Sequence, residues 1–159
     1  MTFQVGDRIA HPLHGAGEIS GIETKRVDGK YRDYYVMHIS RGDIKVMIPV
    51  DTCVQIGVRP IIDRETAEGI LAVIPSLDPA DDANWNKRYR DNMTLLKSGD
   101  LVKTAGVIKA LVLRERRAGL SNGERKMLHT AKQILLSELM LSMELSMQEA
   151  ECLLYEALD

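Results

Sequence analysis

The residue with the most distinctive chemistry in this chain is its one tryptophan, Trp85, which stands among cations. The surrounding run reads Asn84-Trp85-Asn86-Lys87-Arg88-Tyr89-Arg90. Helical spacing puts Trp85 on one face with Arg88 and Tyr89, and Lys87 and Arg90 flank that face. A lone tryptophan is usually a core residue, but one in the first turn of a helix, between polar neighbours, is poorly placed for burial. An exposed aromatic ring beside cations suits DNA, since the cations and the helix N-terminus hold phosphates while the ring contacts or wedges against a base step.

A second group of basic residues surrounds the turn at residues 119–121. Its members are Arg114, Arg116, Arg117, Arg125, Lys126 and Lys132. One interpretation is a solvated corner between two helices. The other is a set of phosphate contacts near the N-terminus of a predicted helix over residues 122–143, whose positive end favours anions.

Charge is segregated along the chain, although the 159 residues sum to a net charge of only −2. Residues 85–132 carry 12 basic and 4 acidic side chains, which is net +8, and this segment contains Trp85. Residues 133–159 carry six acids and no basic group. Although the total charge is close to zero, residues 85–132 therefore carry a local excess of positive charge of the kind that nucleic-acid-binding proteins show.

Catalytic and ligand-binding motifs are missing from the sequence. It has no Walker loop, HExxH, GxSxG or Rossmann glycine pattern. His11 and His14 have no Cys or carboxylate partner at metal-ligand spacing, and Cys53 and Cys152 lie far apart, as reduced thiols do. We expect no enzyme activity, cofactor, metal site or small-molecule ligand. Neither a signal peptide nor a membrane span is predicted, which favours a cytoplasmic location.

The first 62 residues read as short strands separated by turns. Runs over residues 8–11, 17–23, 31–39 and 44–48 are rich in β-branched and aromatic side chains. Asp28-Gly29 predicts a type I′ hairpin turn, and residues 41–43 a second tight turn. Four or five short strands in this length predict a small, strongly bent barrel.

From Asp63 onward the period becomes helical. Asp63 can cap a helix that Pro75 stops, and residues 75–83 read as a linker. Further helices are predicted over residues 84–97, after the cap Asp100, and after two Ser-x-x-Glu capping boxes, at Ser121 and Ser146. Methionines 127, 140, 143 and 147 are expected in the core. The predicted class is α+β in two domains: residues 1–62 form the β barrel, and residues 63–159 form a helical domain, of which 63–83 are helix and linker and 84–159 a bundle.

Three segments resemble the CarD family of bacterial RNA-polymerase-binding transcription regulators, also called CdnL. The first is Phe3-Gln4-Val5-Gly6-Asp7-Arg8-Ile9-Ala10-His11-Pro12-Leu13-His14-Gly15-Ala16-Gly17, continued by Ile22-Glu23-Thr24, Gly42-Asp43 and Ile48-Pro49. The second is Asn84-Trp85-Asn86-Lys87-Arg88-Tyr89, and the third is Gly119-Leu120-Ser121-Asn122-Gly123-Glu124-Arg125-Lys126-Met127-Leu128, which leads into Ala131-Lys132-Gln133-Ile134-Leu135. Transcription-repair coupling factors share the first module, so the specificity lies in the three segments together and in this order.

The resemblance implies a Tudor-like barrel that docks on the β subunit of RNA polymerase, partly by strand pairing. The matching positions are Lys25 and the strand residues Ile44, Lys45, Val46, Met47 and Ile48. Two residues depart from the family pattern. His11 stands where an aromatic residue, usually tyrosine, is expected, and Met47 stands where some relatives carry arginine.

For the helical domain, the resemblance implies contact with promoter DNA at the upstream edge of the transcription bubble. Trp85 matches a tryptophan that wedges into the minor groove. The positions that match basic phosphate contacts are Lys87, Arg88, Arg90, Arg125 and Lys126. The implied effect is a more stable open promoter complex, without sequence reading in the major groove.

Three alternatives remain open on the sequence. A free-standing repressor would use the helices as a helix-turn-helix and bind one operator tightly without polymerase. A protein-interaction module of the transcription or repair machinery would use the basic face on an acidic partner, without contacting DNA. A docking module of a repair helicase is disfavoured by the lack of a nucleotide-binding motif.

Overall fold

The N-terminal part of the molecule is a five-stranded antiparallel sheet in the order β4-β3-β2-β1-β5. The coordinates are a computed structural model that describes residues 2–159. The strands are β1 (Arg8–His11), β2 (Gly15–Val27), β3 (Lys30–Ile39), β4 (Ile44–Pro49) and β5 (Arg59–Pro60), and a short helix α1 (Cys53–Ile56) precedes β5. The predicted α+β class, with a small β domain before a helical one, is confirmed.

Turn chemistry sets the sheet register as the sequence predicts. Asp28 and Gly29 take positive φ angles of 52° and 76°, the conformation that a type I′ turn requires, and they join β2 to β3. Gly42 and Asp43 do the same between β3 and β4, with φ of 88° and 50°. Both turns use glycine and aspartate, which tolerate positive φ angles. The residue types in the turns were therefore enough to predict where the turns lie.

The two edges of the sheet differ. At one edge, β5 is only two residues long and contains Pro60, which cannot donate to a further strand. At the other edge, β4 pairs with β3 on one side, and no strand of residues 2–159 pairs with its other side. Neither α1 nor β5 was predicted, because two to four residues are too few to show a period. The open backbone edge of the β domain is therefore β4.

The C-terminal part is helical. Its elements are α2 (Arg64–Val73), a 3₁₀ turn (Ile74–Ser76), α3 (Trp85–Lys97), α4 (Leu101–Ala118), α5 (Asn122–Ser142) and α6 (Met147–Leu158). Asp63 and Asp100 accept hydrogen bonds from first-turn N–H groups, as caps do. Both predicted capping boxes, at Ser121 and Ser146, form with Glu124 and Glu149. The sequence prediction was wrong for Met147, which is 47% exposed rather than part of the core.

Two separate hydrophobic clusters fill the molecule. One lies within the sheet around Ile9, Tyr35 and Ile48, with the Tyr35 hydroxyl bonded to the Phe3 backbone. The other joins all the longer helices, from Ala67 to Leu158. We propose the boundary expected from the sequence, 1–62 and 63–159, as the division between domains. Helix α5 touches both, because it packs against β2 as well as α4.

His11 lies at the end of β1, on the wall of a cavity of about 200 Å³ between the sheet and α5. Its Nδ1 accepts a hydrogen bond from the Leu13 N–H at 3.1 Å, and its ring lies 4.4 Å from the ring of His14. Burial, and then the neighbouring His14, lower the pKa of His11 from 6.5 to about 4. The folded protein therefore keeps His11 neutral in a range where the unfolded chain protonates it.

We expect this histidine to make the fold sensitive to mild acid. Its contribution is fully present above pH 6.5 and is lost as the pH falls towards the folded pKa, because the unfolded state then binds more protons. The expected loss between pH 6.5 and 5 is roughly 1–2 kcal/mol of the free energy of unfolding. His11→Tyr, which supplies the aromatic residue that the resemblance predicts at this position, should remove this loss. Urea denaturation at both pH values measures it, and an equal loss in the two proteins would contradict the assignment.

Candidate nucleic-acid interface

Two helix N-termini meet at one corner of the helical domain. Asn84 caps α3, its Oδ1 accepting a hydrogen bond from the Lys87 N–H at 3.0 Å. Ser121 caps α5, its Oγ accepting from the Glu124 N–H at 3.2 Å. The contact between the two ends is direct, since Trp85 Nε1 donates to Ser121 Oγ at 3.0 Å. The N-terminal ends of the two helices, each of which carries a partial positive charge, therefore lie close together.

Trp85 is held in one orientation and is still accessible. Its ring stacks on Tyr89 with centroids 5.0 Å apart and planes inclined by 18°. The side chain is 42% exposed. Indole has one polar hydrogen, and Ser121 takes it, so none is left to read an acceptor on a base. What the ring presents to solvent is an ordered apolar surface, suited to stacking and unsuited to sequence reading.

Arg88 is buried, whereas a residue that binds phosphates must be exposed to solvent. Its side chain is 6% exposed and forms a paired contact with Glu124, with Nε to Oε2 at 2.8 Å and Nη2 to Oε1 at 3.2 Å. The remaining terminal nitrogen donates to the Asp82 carbonyl at 2.8 Å. The hydrogen bonds from Arg88 hold the pKa of Glu124 below its usual value, against the opposing effect of burial. In this structure Arg88 is part of the interior of the corner.

Glu124 links that ion pair to the tryptophan. Its Oε1 accepts from the Ser121 hydroxyl at 3.1 Å, and the same hydroxyl oxygen accepts from Trp85. The chain of contacts runs from Arg88 through Glu124 and Ser121 to the indole. We call Trp85, Tyr89, Ser121, Arg88 and Glu124 the tryptophan platform. Composition pointed to Trp85 and Arg88, but the roles of Ser121 and Glu124 beyond the capping box were missed.

The other predicted DNA contacts fall into two groups. Lys87 is half-exposed and pairs with Asp91 at 2.9 Å and with Asp82 at 3.4 Å, which raises its pKa. Arg90, Arg125 and Lys126 are exposed, and the described part of the chain offers none of them an ion pair. These three cations are the ones whose charge faces solvent beside the platform.

Four of the six basic residues around the 119–121 turn have partners within the chain. Arg114 and Arg117 both pair with Asp81 of the linker, the first at 3.0 Å. Arg116 pairs with Asp159 at 2.8 Å. Lys132 donates to the Tyr155 hydroxyl at 3.0 Å. For these four residues the arrangement fits a solvated, internally paired corner better than a row of phosphate contacts.

The residues expected to face RNA polymerase lie on and near the open edge of the sheet. In β4, Ile44 and Lys45 are exposed, Val46 and Met47 are half-buried and Ile48 is in the core. Lys25 is exposed on β2, in the part of the β2–β3 hairpin that extends beyond the core, where it lies opposite Arg32. The strand residues thus share one accessible edge, and Lys25 is on a neighbouring projection.

Within residues 2–159, no three or more His, Cys, Asp or Glu side chains cluster in a way that could hold a metal ion. Among the same residues, no helix combines the length and the apolar character that crossing a bilayer needs.

Comparison with known proteins supports the two-part reading of the chain. The family model described as "CarD-like/TRCF RID domain" matches residues 3–62, and the one described as "CarD, C-terminal domain" matches residues 69–155. A putative transcription factor of Bacillus subtilis (strain 168), YdeB, is 33% identical over 137 residues, which are 86% of this chain and 90% of YdeB. The chain belongs to the CarD family. The resemblance seen in the sequence is thereby confirmed.

Two further similarities each cover about a third of this CarD-family protein. A transcription-repair-coupling factor of Bacillus subtilis (strain 168) is 38% identical over 54 residues, which are 34% of this chain and 4% of that protein. The solution NMR structure of the 72-residue N-terminal domain of Myxococcus xanthus CarD is 33% identical, with a TM-score of 0.32, and covers 36% of this chain and 77% of that one. The family matches support a transcription-related regulator that interacts with RNA polymerase.

Proposed function

We propose that this protein docks on the β subunit of bacterial RNA polymerase and stabilises the open promoter complex. It does so by contacting DNA at the upstream edge of the bubble, largely without sequence specificity. The observation that carries the proposal is the tryptophan platform, in which an ordered, exposed indole has its only polar hydrogen already bonded. Such a ring can fill an opened base step and cannot discriminate between bases by hydrogen bonding.

The polymerase contact is assigned to the β4 edge. An unpaired strand edge can accept a further strand, and main-chain hydrogen bonds then provide affinity whatever the side chains are. For that reason Met47 in place of arginine removes a charge from the contact without removing the pairing. Lys25 lies on the β2–β3 hairpin, whose strand β3 pairs with β4, and would add a cation to the contact. A shared β domain in a protein named as a transcription-repair-coupling factor supports this assignment.

The DNA contact is assigned to Trp85 with Arg90, Arg125 and Lys126 as phosphate ligands. Lys87 can join them by exchanging its exposed carboxylate partners for a phosphate, since exposed ion pairs are worth little. Arg88 acts from inside the corner, by fixing the platform. The minor groove is the fitting site, because an apolar wedge between base steps needs no donor code.

Tethering lets a weak DNA binder act. Docking on polymerase raises the local concentration of the platform at the promoter, so that modest intrinsic affinity is sufficient. The shift towards the open state can be only as large as the difference in affinity between opened and closed DNA. A ring that inserts only where a base step is opened binds opened DNA more tightly than closed DNA, and this provides the required difference in affinity.

The proposal is tested by the lifetime of open complexes on a ribosomal RNA promoter, with purified bacterial RNA polymerase, with and without this protein. We expect a longer lifetime in its presence. An unchanged lifetime, with polymerase binding shown in the same mixture, would contradict the proposal.

Lys126→Ala should weaken DNA binding mainly at low salt. Each lost phosphate contact lowers the slope of log K against log salt by about 0.9 for duplex DNA. The matched control is Arg116→Ala, which removes a cation already paired with Asp159 at 2.8 Å. Fluorescence anisotropy with a labelled promoter fragment at several KCl concentrations measures both slopes. A reduced slope for Arg116→Ala with an unchanged slope for Lys126→Ala would contradict the assignment of Lys126 as a phosphate ligand.

A second candidate, a protein-interaction module without DNA contact, is favoured by one observation. Arg88, Arg114, Arg116 and Arg117 are all paired inside the chain, which leaves the +8 segment less positive at its surface than its composition indicates. Trp85 and the three free cations could then bind an acidic protein surface. Cross-linking from position 85 separates the two functions.

A further inference from the structure

Helix α5 turns three polar side chains towards the β domain, and all three are almost fully buried. Gln133 is 7% exposed, Ser137 2% and Glu138 1%. They lie 10 or more residues beyond the α5 N-terminus that supports the tryptophan platform. A single helix therefore carries the DNA-facing corner at one end and a buried polar contact with the sheet further along.

Glu138 binds the segment where the β domain ends. It accepts two hydrogen bonds from Arg59 of β5, at 2.6 and 3.0 Å, and one from the Ile62 N–H at 2.8 Å. Both carboxylate oxygens are thus engaged by directional donors. The contact fixes β5 and the chain that follows it against the C-terminal half of α5.

Gln133 exchanges hydrogen bonds with the turn between β3 and β4. Arg41 Nη1 donates to its Oε1 at 2.6 Å, and its Nε2 donates to the Arg41 carbonyl at 2.8 Å. Arg41 also reaches Glu151 of α6 at 3.1 Å. A second point of the sheet, close to the start of β4, is tied to the same helix.

Ser137 binds the turn that opens β2. Its Oγ accepts a hydrogen bond from the Ala16 N–H at 2.8 Å. Gly15 has a φ of +100°, and a Cβ there would lie 2.3 Å from Ser137 Oγ and 2.9 Å from the Gln133 carbonyl oxygen. Only glycine allows the backbone so close to the helix. The approach of the two domains is tight at this third point.

Buried polar contacts of this kind define a geometry more than they add stability. Desolvation offsets much of their energy, but each hydrogen bond is made at one relative position and lost at others. An apolar contact of the same size would tolerate sliding. Three such contacts, to β2, to the β3–β4 turn and to β5, leave the sheet a single docking position on α5.

We propose that Gln133, Ser137 and Glu138, the interdomain clamp, are positioning residues that fix the direction in which the tryptophan platform is held relative to the β4 edge. This rests on the proposed function. Ser121 lies about 26 Å from Glu138 along α5 at 1.5 Å per residue. If α5 tilts against the sheet at the clamp, the tryptophan platform at the other end of the helix is displaced relative to the β4 edge. Tethering increases affinity only when both contacts can be made at once, so loss of the fixed direction removes the benefit of docking.

The test compares Glu138→Ala with Glu156→Ala, an exposed glutamate on α6 that makes no hydrogen bond or ion pair with the sheet among the described residues. Spin labels are placed on the exposed positions Glu18→Cys of β2 and His129→Cys of α5, with the exposed Cys152 replaced by serine. Pulsed dipolar spectroscopy of the full chain then gives the distance distribution between the domains. The unlabelled variants are assayed for polymerase affinity and for open-complex lifetime.

We expect one narrow distance in the parent and in Glu156→Ala, and a broadened or shifted one in Glu138→Ala. Polymerase affinity should be unchanged, and the lifetime gain should fall on the order of tenfold. An unchanged distance distribution in Glu138→Ala overturns the proposal, whatever the lifetime does. So does a broadened distribution with the full lifetime gain.

The proposal can still be tested if Glu138→Ala does not fold or if the parent protein gives no lifetime gain. If Glu138→Ala does not fold, Ser137→Ala and Glu138→Gln, which keep more of the contacts, are measured in the same way and judged by the same criteria. If the parent protein gives no lifetime gain at all, the proposed function fails, while the distance distributions still decide whether the clamp fixes the domain orientation.

Discussion

Trp85→Ala should abolish most of the open-complex stabilisation while leaving the affinity for RNA polymerase unchanged. Stacking of an aromatic side chain on a base is worth about 1–3 kcal/mol, which corresponds to a fall in lifetime of roughly 5- to 150-fold towards the value without the protein. The side chain is 42% exposed, so its removal leaves the core intact. The dissociation rate of competitor-challenged open complexes measures the effect.

Trp85→Phe is the matched variant for this experiment. It keeps a ring next to Tyr89 but loses the indole N–H that bonds Ser121 at 3.0 Å. We expect a lifetime between those of the parent and of Trp85→Ala, because the wedge remains and its orientation is less fixed. A Trp85→Ala protein that binds polymerase and still gives the full lifetime would refute the wedge.

Glu124→Ala should destabilise the protein more than the loss of a helix cap alone. It removes one side of the capping box and leaves the Arg88 guanidinium, 6% exposed, without its carboxylate. Breaking a buried ion pair by removing one partner costs about 3–5 kcal/mol, because the remaining charge is uncompensated. Chemical denaturation of the purified variant measures the loss in the free energy of unfolding.

Glu149→Ala is a close internal control for that loss. Glu149 closes the other Ser-x-x-Glu box, at Ser146, but is exposed and makes no ion pair among the described residues. Its truncation should cost about 1 kcal/mol, as an exposed capping contact does. Equal costs for the two variants would mean that the buried pair adds nothing to stability.

The acid response of Glu124 has a defined sign. Its hydrogen bonds with Arg88 lower the pKa of the folded carboxyl below that of the unfolded chain. The stability it contributes is therefore present above the unfolded pKa and is lost as the pH falls through the folded one. This loss lies at lower pH than the one expected from His11, whose pKa in the unfolded chain is near 6.5.

Much of the fold could be predicted because its signals are local. Asp28-Gly29 specifies its turn through the φ angles of two neighbouring residues. Ser121 and Ser146 each specify a helix start through hydrogen bonds with the glutamate three residues further along the chain. The β-branched and aromatic run over residues 31–39 and the helix cap Asp100 needed no knowledge of what they pack against. Such local features form in the same way in any tertiary arrangement, and for that reason the sequence alone predicts them.

The site was less predictable because its key contacts join distant parts of the chain. Arg88 and Glu124 are 36 residues apart, and Arg59 and Glu138 are 79 apart. A signal for Arg88 did exist. Arg88, Asn92 and Leu96 follow one another at intervals of four residues, and all three are buried on the inner face of α3. Extending that stripe back from Leu96 would have placed the guanidinium inside. No period in the sequence marks Glu138 as a partner of β5, since Arg59 stands in a strand of two residues.

The central claim is that Trp85 touches promoter DNA in the open complex, and cross-linking from position 85 tests it most directly. A photoreactive phenylalanine analogue replaces Trp85 in complexes of the full chain, RNA polymerase and a promoter labelled on each strand. We predict a DNA adduct at the upstream edge of the bubble that appears when the promoter melts and is absent from closed complexes. Adducts to a polymerase subunit alone, from a protein shown to be bound, would contradict the claim and favour the protein-interaction module.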